Sequence, residues 1–292
     1  MPTPSTPFTT LISVEQLQAL RASGAPLKVF DCTSELMNPE AADRLYAQVH
    51  IAGAMQAHLD RNLSAPSAAD AVNGGRHPLP RRELFAEWLR DTGFDNTMQA
   101  VVYDRNGASY CGRLWWMLKW AGHEAVAVLD GGLQAWEAAG GAVESGAPAK
   151  PEVGHFTLSA EKTTLATTPT VAANLGRPAQ TIVDARATPR FRGEMEPLDP
   201  VAGHIPGALN RPFGLNLGPD GRFKAPAELK AEFEALLAGR DPATVVHHCG
   251  SGVTAVPNLL AMEIAGLGRT ALYAGSWSEW CNTPGLPCEK SA

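Results

Sequence analysis

The sequence predicts an α/β protein built from two tandem copies of one unit, each a parallel sheet with helices on both faces. Three observations predict it. Short apolar strands alternate with helical patterns in both halves, the same order of features recurs at an offset of roughly 150 residues, and the composition is that of a buried-core globular chain, 45% hydrophobic and 18% charged.

Taken in order, an apolar run ending in Asp occurs as Leu27–Asp31 (LKVFD) and again as Thr181–Asp184 (TIVD). A His-Ile-x-Gly-Ala segment follows each, HIAGA from His50 and HIPGA from His204. Amphipathic helix patterns come next, over Arg81–Asp91 and Ala227–Ala238. The β-branched runs AVVYD (Ala100–Asp104) and TVVHHC (Thr244–Cys249) each lead into a Gly-containing loop. Apolar helices then end at Ala-Gly, in Trp115–Gly122 and Asn258–Gly266, and VLDGGLQAW (Val128–Trp136) matches LYAGSWSEW (Leu272–Trp280). The expected division is a first domain over 10–140, a linker over 141–175 that is rich in Ala, Gly, Pro and Thr, and a second domain over 176–288. Asp31 and Asp184 read as caps at strand ends. His50 and His204, present in both halves, read as fold-building residues, and Trp277 and Trp280 read as core.

Composition excludes several function classes. A net charge of −6 with scattered Lys and Arg argues against nucleic acid and against an anionic membrane as partner. No apolar run approaches the roughly 18–20 residues of a membrane span, and the N-terminus lacks the pattern of an export signal, so the expected location is cytoplasmic. Cys32, Cys111, Cys249, Cys281 and Cys288 are odd in number, widely spaced and without CxxC; they suggest neither a disulfide framework nor a metal site. No metal and no organic cofactor is expected.

The candidate chemistry sits in Cys249-Gly250-Ser251-Gly252-Val253-Thr254, between the strand Val245–His248 and the helix that starts at Ala255. A cysteine here stands at the carboxyl end of a parallel strand, where open α/β sheets place their ligands. Two glycines let the loop curl so that backbone N–H groups point inward, and the following helix adds its positive end. Such a cradle suits a thiolate or a persulfide, which is also anionic. Most lone cysteines are small buried hydrophobes; position before a Gly-rich loop separates Cys249 from the other four, which read as structural or incidental. The equivalent loop of the first half, Asp104-Arg-Asn-Gly107, has no cysteine.

On the two halves, the cysteine-free first loop, HIPGA, SWSEW and above all CGSGVT, the chain closely resembles the tandem-rhodanese sulfurtransferases over nearly its whole length. The resemblance implies two tandem rhodanese-like domains and transfer of sulfur through a Cys249 persulfide. A loop reading CGSGVT is similar to those of the 3-mercaptopyruvate enzymes, whereas thiosulfate enzymes of this fold usually carry basic residues there. Implied partners are a small-molecule sulfur donor and a thiol or cyanide acceptor, a thioredoxin-like protein among them. By resemblance, Ser251 forms a relay with His77 (in GGRHPLP) and Asp60 (in HLDRNLS), and Gly250, Gly252, Val253 and Thr254 line the substrate with Arg190 of RFRG. Read without it, His77 is a surface-loop histidine and Asp60 a cap or solvated charge. A second substrate Arg is expected before HIPG, but Leu198 stands there, in Glu196-Pro-Leu-Asp-Pro200, leaving Arg192 or Arg211 as replacements. Thiosulfate as donor and a persulfide carrier loaded by a partner protein are the alternative readings. Phosphatase chemistry is excluded because its loop needs an Arg about five residues after the cysteine, where this chain has Thr254 and Ala255.

Overall fold

The computed structural model describes residues 6–147 and 151–291. They fall into two compact units. Unit 1 runs to Leu63 and resumes over Arg82–Lys162; unit 2 comprises Ser64–Arg81 and the chain from Thr163.

Unit 1 contains β1 (Leu11–Ile12), α1 (Val14–Ala22), β2 (Leu27–Asp31), α2 (Glu40–Gln48), β3 (His50–Ile51), β4 (Met55–Gln56), α3 (Arg82–Asp91), β5 (Gln99–Tyr103), α4 (Cys111–Trp120), β6 (Val126–Leu129), α5 (Gly132–Ala138) and β7 (Val143–Glu144). Unit 2 follows with β8 (Thr164–Ala166), α6 (Thr168–Ala173), β9 (Thr181–Asp184), α7 (Thr188–Arg192), β10 (Leu209–Asn210), α8 (Pro226–Leu237), β11 (Val245–His248), α9 (Val256–Ile264), β12 (Ala271–Tyr273) and α10 (Ser276–Trp280). The main sheets have the orders β1-β6-β5-β2-β4 and β8-β12-β11-β9-β10, with every neighbouring pair parallel. The second order repeats the first strand for strand.

Alternation along the strands explains the layers. Ile182 and Val246 point into a cluster with Phe191, Tyr273, Trp277 and Trp280, while Val183 and Val245 point into one with Leu229, Phe233 and Met262. Helix α8 buries Leu229, Phe233 and Leu237, four residues apart, as an amphipathic helix must. Each of these large side chains contributes on the order of 2 kcal/mol by leaving water.

Local structure adds two details to the expected division. The segment 141–175 is not structureless: Val143 pairs with Ile51, and β8 and α6 occupy 164–173. Strand β8 is the counterpart of β1, and Thr167 caps α6 as Ser13 caps α1. A three-residue edge strand and a six-residue helix are too short to show a period, which is why composition alone suggested a linker. Residues 148–150 of that segment lie outside the described residues. Ser64–Arg81, contiguous in sequence with the first domain, clusters with unit 2. It closes on itself through Val72 N–H donating to Leu79 O (2.9 Å) and Ala65 N–H to Pro78 O (2.9 Å).

The duplicated histidines do build the fold. In unit 1 the ring of His50 stacks on Tyr46 at 3.9 Å, with Nδ1 2.8 Å from the Tyr46 carbonyl. In unit 2 His204 stacks on Phe191 at 3.9 Å, with Nδ1 2.8 Å from the Phe191 carbonyl.

The cysteine-free loop of unit 1 is an occupied anion cradle. Asp104 Oδ1 accepts from the backbone N–H of Asn106 (2.8 Å) and Ala108 (3.1 Å), and Oδ2 from Tyr110 (2.8 Å) and Cys111 (2.9 Å). One carboxylate therefore satisfies four donors at the mouth of α4. Asp104→Ala is expected to cost about 2–4 kcal/mol, because it orphans buried donors, and Asp104→Asn less; urea unfolding of the variants measures both.

Candidate active site

Cys249 stands at the carboxyl end of β11, the central strand of the unit 2 sheet, paired with β9 on one side and β12 on the other. It is 1% exposed. Its N–H donates to Ser276 Oγ (3.1 Å), Trp277 N–H donates to the Cys249 carbonyl (3.0 Å), and Ser278 N–H to that of Gly250 (2.9 Å). The turn into α10 thus clamps the first two residues of the loop. Gly252 has φ +74°, and a Cβ there would collide with the backbone of Ala274, so only glycine fits. Helix α9 begins seven residues after Cys249 with no side chain capping its first turn. The same landmarks occur in unit 1: Gly107 with φ +65° three residues after Asp104, and α4 seven residues after it. Cys249 occupies the position of the cradled carboxylate.

Ser64–Arg81 brings His77 to this loop. Its Nδ1 lies 2.8 Å from Ser251 Oγ, and the histidine is 6% exposed. The approach is close-packed: a Cβ on Gly75 would come 2.7 Å from both the Gly275 carbonyl and Ser278 Oγ. The structure therefore brings together His77 and Ser251. Asp60 belongs to unit 1, in the turn where its N–H donates to His58 Nδ1 (3.1 Å).

Beside the loop runs a chain of alternating charges. Asp184 accepts from Arg186 (Nη2, 2.6 Å), with both side chains almost fully buried. Arg186 continues to Glu196 (3.3 Å), Glu196 takes the Nε and Nη2 edge of Arg190, Arg190 lies 3.5 Å from Asp199, and Asp199 accepts from Arg76 (Nη1, 2.8 Å). Burial alone would raise the Asp184 carboxyl, yet His248 and Arg186 hold it below its usual value; this strand-end residue is a charge partner as well as a cap. Arg190 is 17% exposed rather than a surface residue. A Cβ on Gly250 would come 3.5 Å from Arg190 Nη1 and 3.3 Å from Arg76 Nη2, which puts both guanidiniums next to the residue that follows Cys249.

The two replacements considered for the missing arginine are engaged elsewhere. Arg192 is half exposed and faces Glu194 at 3.7 Å. Arg211 bonds Asn216 and Glu232 and covers the ring of Phe233. Arg76 escaped the sequence reading because its segment has no period; its one signal was adjacency to His77.

Of the other cysteines, Cys32 and Cys111 are buried, Cys281 is partly buried and Cys288 is exposed. Burial pushes Cys32 and Cys111 well up, and pushes Cys281 to about 11. Trp277 is fully buried, its Nε1 donates to the Val201 carbonyl (2.9 Å), and Arg186 sits over its ring. Among the described residues no group of His, Cys, Asp and Glu could hold a metal ion, and no helix is long and apolar enough to cross a membrane.

Comparison with known proteins agrees with the architecture. The family model described as Rhodanese-like domain matches twice, over residues 13–139 and 167–283. A probable 3-mercaptopyruvate sulfurtransferase of Pseudomonas aeruginosa is 46% identical over 278 residues, covering 95% of this chain and 96% of its own. A putative thiosulfate sulfurtransferase, SseB, of Mycobacterium tuberculosis is 37% identical, covering 95% of both chains. Among solved structures, a 3-mercaptopyruvate sulfurtransferase from Leishmania major superposes with a TM-score of 0.81 at 29% identity, covering 97% of this chain and 78% of its own.

The loop's one-residue fit gives a test. Gly252→Ala is expected to destabilise unit 2 by about 1–3 kcal/mol, since a side chain must be forced into a left-handed backbone against Ala274. It should also alter the alkylation rate of Cys249. Urea unfolding and mass-resolved alkylation kinetics check the two effects.

Proposed function

The chain belongs to the rhodanese family, and from that premise we propose that it is a sulfurtransferase that takes sulfur from 3-mercaptopyruvate onto Cys249 and passes it to a thiol or to cyanide. The observation that carries this reading is the nucleophile's setting. Cys249 lies in a curled loop at the ligand end of β11, with His77 bonded to Ser251 and with Arg190 beside Gly250.

In the first step the Cys249 thiolate attacks the donor sulfur. An S–S bond forms, the donor C–S bond breaks, and its electron pair goes to the carbon of a pyruvate enolate. The enolate takes up the proton carried in on the donor thiol, leaving pyruvate and an anionic persulfide. The Ser251–His77 pair is suited to relay that proton, with Asp60 assigned to orient the histidine. Gly250, Gly252, Val253 and Thr254 supply the backbone around the persulfide, and Arg190 faces the donor's carboxylate. In the second step an acceptor thiolate or cyanide attacks the outer sulfur and frees the Cys249 thiolate. A thioredoxin-like dithiol fits the acceptor role, and five free cysteines suit a reducing, cytoplasmic setting.

Charge favours 3-mercaptopyruvate over thiosulfate. The three guanidiniums of Arg76, Arg186 and Arg190 are matched by the three carboxylates of Asp184, Glu196 and Asp199. A neutralised site accepts a monoanionic 2-oxo acid at lower cost than a dianion. The similarity to a putative thiosulfate sulfurtransferase keeps thiosulfate as the second reading.

Intact-mass spectrometry after incubating the reduced protein with each donor separates the readings. The expected result is one added sulfur on Cys249 from 3-mercaptopyruvate, absent in Cys249→Ser. Loading from thiosulfate alone would change the donor; loading only from a partner's persulfide would make the protein a carrier.

A further inference from the structure

We propose that Arg76 is a substrate-binding residue, pairing with Arg190 to receive the carboxylate of the donor above Gly250. The proposal rests on the sulfurtransferase reading and names a residue that the sequence did not single out.

Geometry places it. The side-chain direction of Gly250, the residue after the nucleophile, points between Arg76 Nη2 (3.3 Å) and Arg190 Nη1 (3.5 Å). Two guanidiniums brought this close repel unless an anion lies between them, and Asp199 is one such anion. Its Oδ1 accepts from Arg76 Nη1 (2.8 Å), and its Oδ2 lies 3.5 Å from Arg190 Nη2. The pair is thus already assembled around a carboxylate on its far side.

The guanidinium edges that remain favour a second carboxylate. Glu196 takes the Nε and Nη2 edge of Arg190, which leaves Nη1 on the Gly250 side. Asp199 takes the Nη1 and Nη2 end of Arg76, whose Nε–H is buried and without an acceptor. That Nε–H lies on the same edge as the second proton of Nη2, so Arg76 keeps one two-donor fork unfilled. A planar carboxylate matches such a fork.

The backbone holds the residue still. Arg76 N–H donates to Ser278 Oγ (3.0 Å), Gly75 is packed flush against the Gly275 turn, and the next residue is His77, bonded to Ser251. The Leu198 carbonyl accepts from Nη1 at 3.4 Å. The side chain is nevertheless 27% exposed, and a cavity of about 420 Å³ lies against it, lined also by Leu198, Asp199, Pro200, Ser278 and Asn282. The cavity opens Arg76 to a small solute beside Asp199 and Asn282.

The test uses the full chain with Arg76→Ala and Arg76→Lys and reads two independent quantities. The first is steady-state transfer from 3-mercaptopyruvate. The KM is expected to rise about tenfold or more in Arg76→Ala, with kcat changing less than about threefold, and Arg76→Lys is expected to recover part of the loss. The second is alkylation of Cys249 by iodoacetate, which carries a carboxylate, relative to neutral iodoacetamide. That ratio is expected to fall about tenfold in Arg76→Ala. An unchanged KM, or an unchanged ratio, overturns the proposal and leaves Arg76 as no more than the partner of Asp199. If 3-mercaptopyruvate fails to load the wild-type protein, the transfer reading has failed, and the alkylation ratio still decides the role of Arg76.

Discussion

A parallel strand that turns at once into a helix leaves backbone N–H groups pointing into the turn, and those donors need a partner. Unit 1 shows how strong that demand is, since Asp104 spends both carboxylate oxygens on four of them. Unit 2 has the same spacing from strand end to left-handed glycine to helix start, but offers a sulfur atom in place of the carboxylate. The cradle that a carboxylate fills in unit 1 has a cysteine at the equivalent position in unit 2. The glycines at 107 and 252 are what the two copies must share, because each loop turns through a conformation that a side chain resists.

The charges around the reactive copy follow from burying it. An isolated guanidinium costs several kcal/mol to take out of water, so each arginine near Cys249 is met by a carboxylate. Asp184 and Arg186 form the deepest pair, and Glu196 and Asp199 extend the alternation outward to Arg190 and Arg76. These residues come from a strand end, a short helix, a loop and the Ser64–Arg81 excursion, so the chain of charges also ties those segments together. Breaking one internal pair would leave an uncompensated charge, a larger loss than that of a surface pair such as Arg192 with Glu194.

Much of this was legible in the sequence where a period or a local motif carried it. The strands Leu27–Asp31, Thr181–Asp184 and Val245–His248 occupy the expected residues, because β-branched runs between turn residues have few other options. The repeat exposed the duplicated sheet, and the position of Cys249 followed from it. What escaped was aperiodic. Strand β8 is three residues long and draws its stability from pairing with β12, information that lies far along the chain. The excursion Ser64–Arg81 is held by glycine packing and backbone bonds, neither of which has a compositional signature, and so Arg76 went unseen. Arg192 and Arg211 illustrate the converse. Proximity in sequence to HIPG suggested them, yet a five-residue helix turns one toward solvent, and a buried asparagine claims the other.

The excursion also explains what the half without a cysteine in its loop contributes. Chain from the first half of the sequence is built into unit 2, and it carries His77 to Ser251 and Arg76 to Gly250. Cys249 and His77 therefore come from different halves of the sequence. The loop that holds Cys249 is held at several points: by Ser276 and Ser278, by the backbone at Ala274, and by the helix that follows. The excursion is tied down mainly at Gly75, Arg76 and His77. On the proposed function, donor preference can change by substitutions in 64–81 and in the loop carrying Glu196 and Asp199, while the loop of Cys249 stays as it is. A fold that separates the two in this way can keep one covalent chemistry and alter which small anion delivers the sulfur.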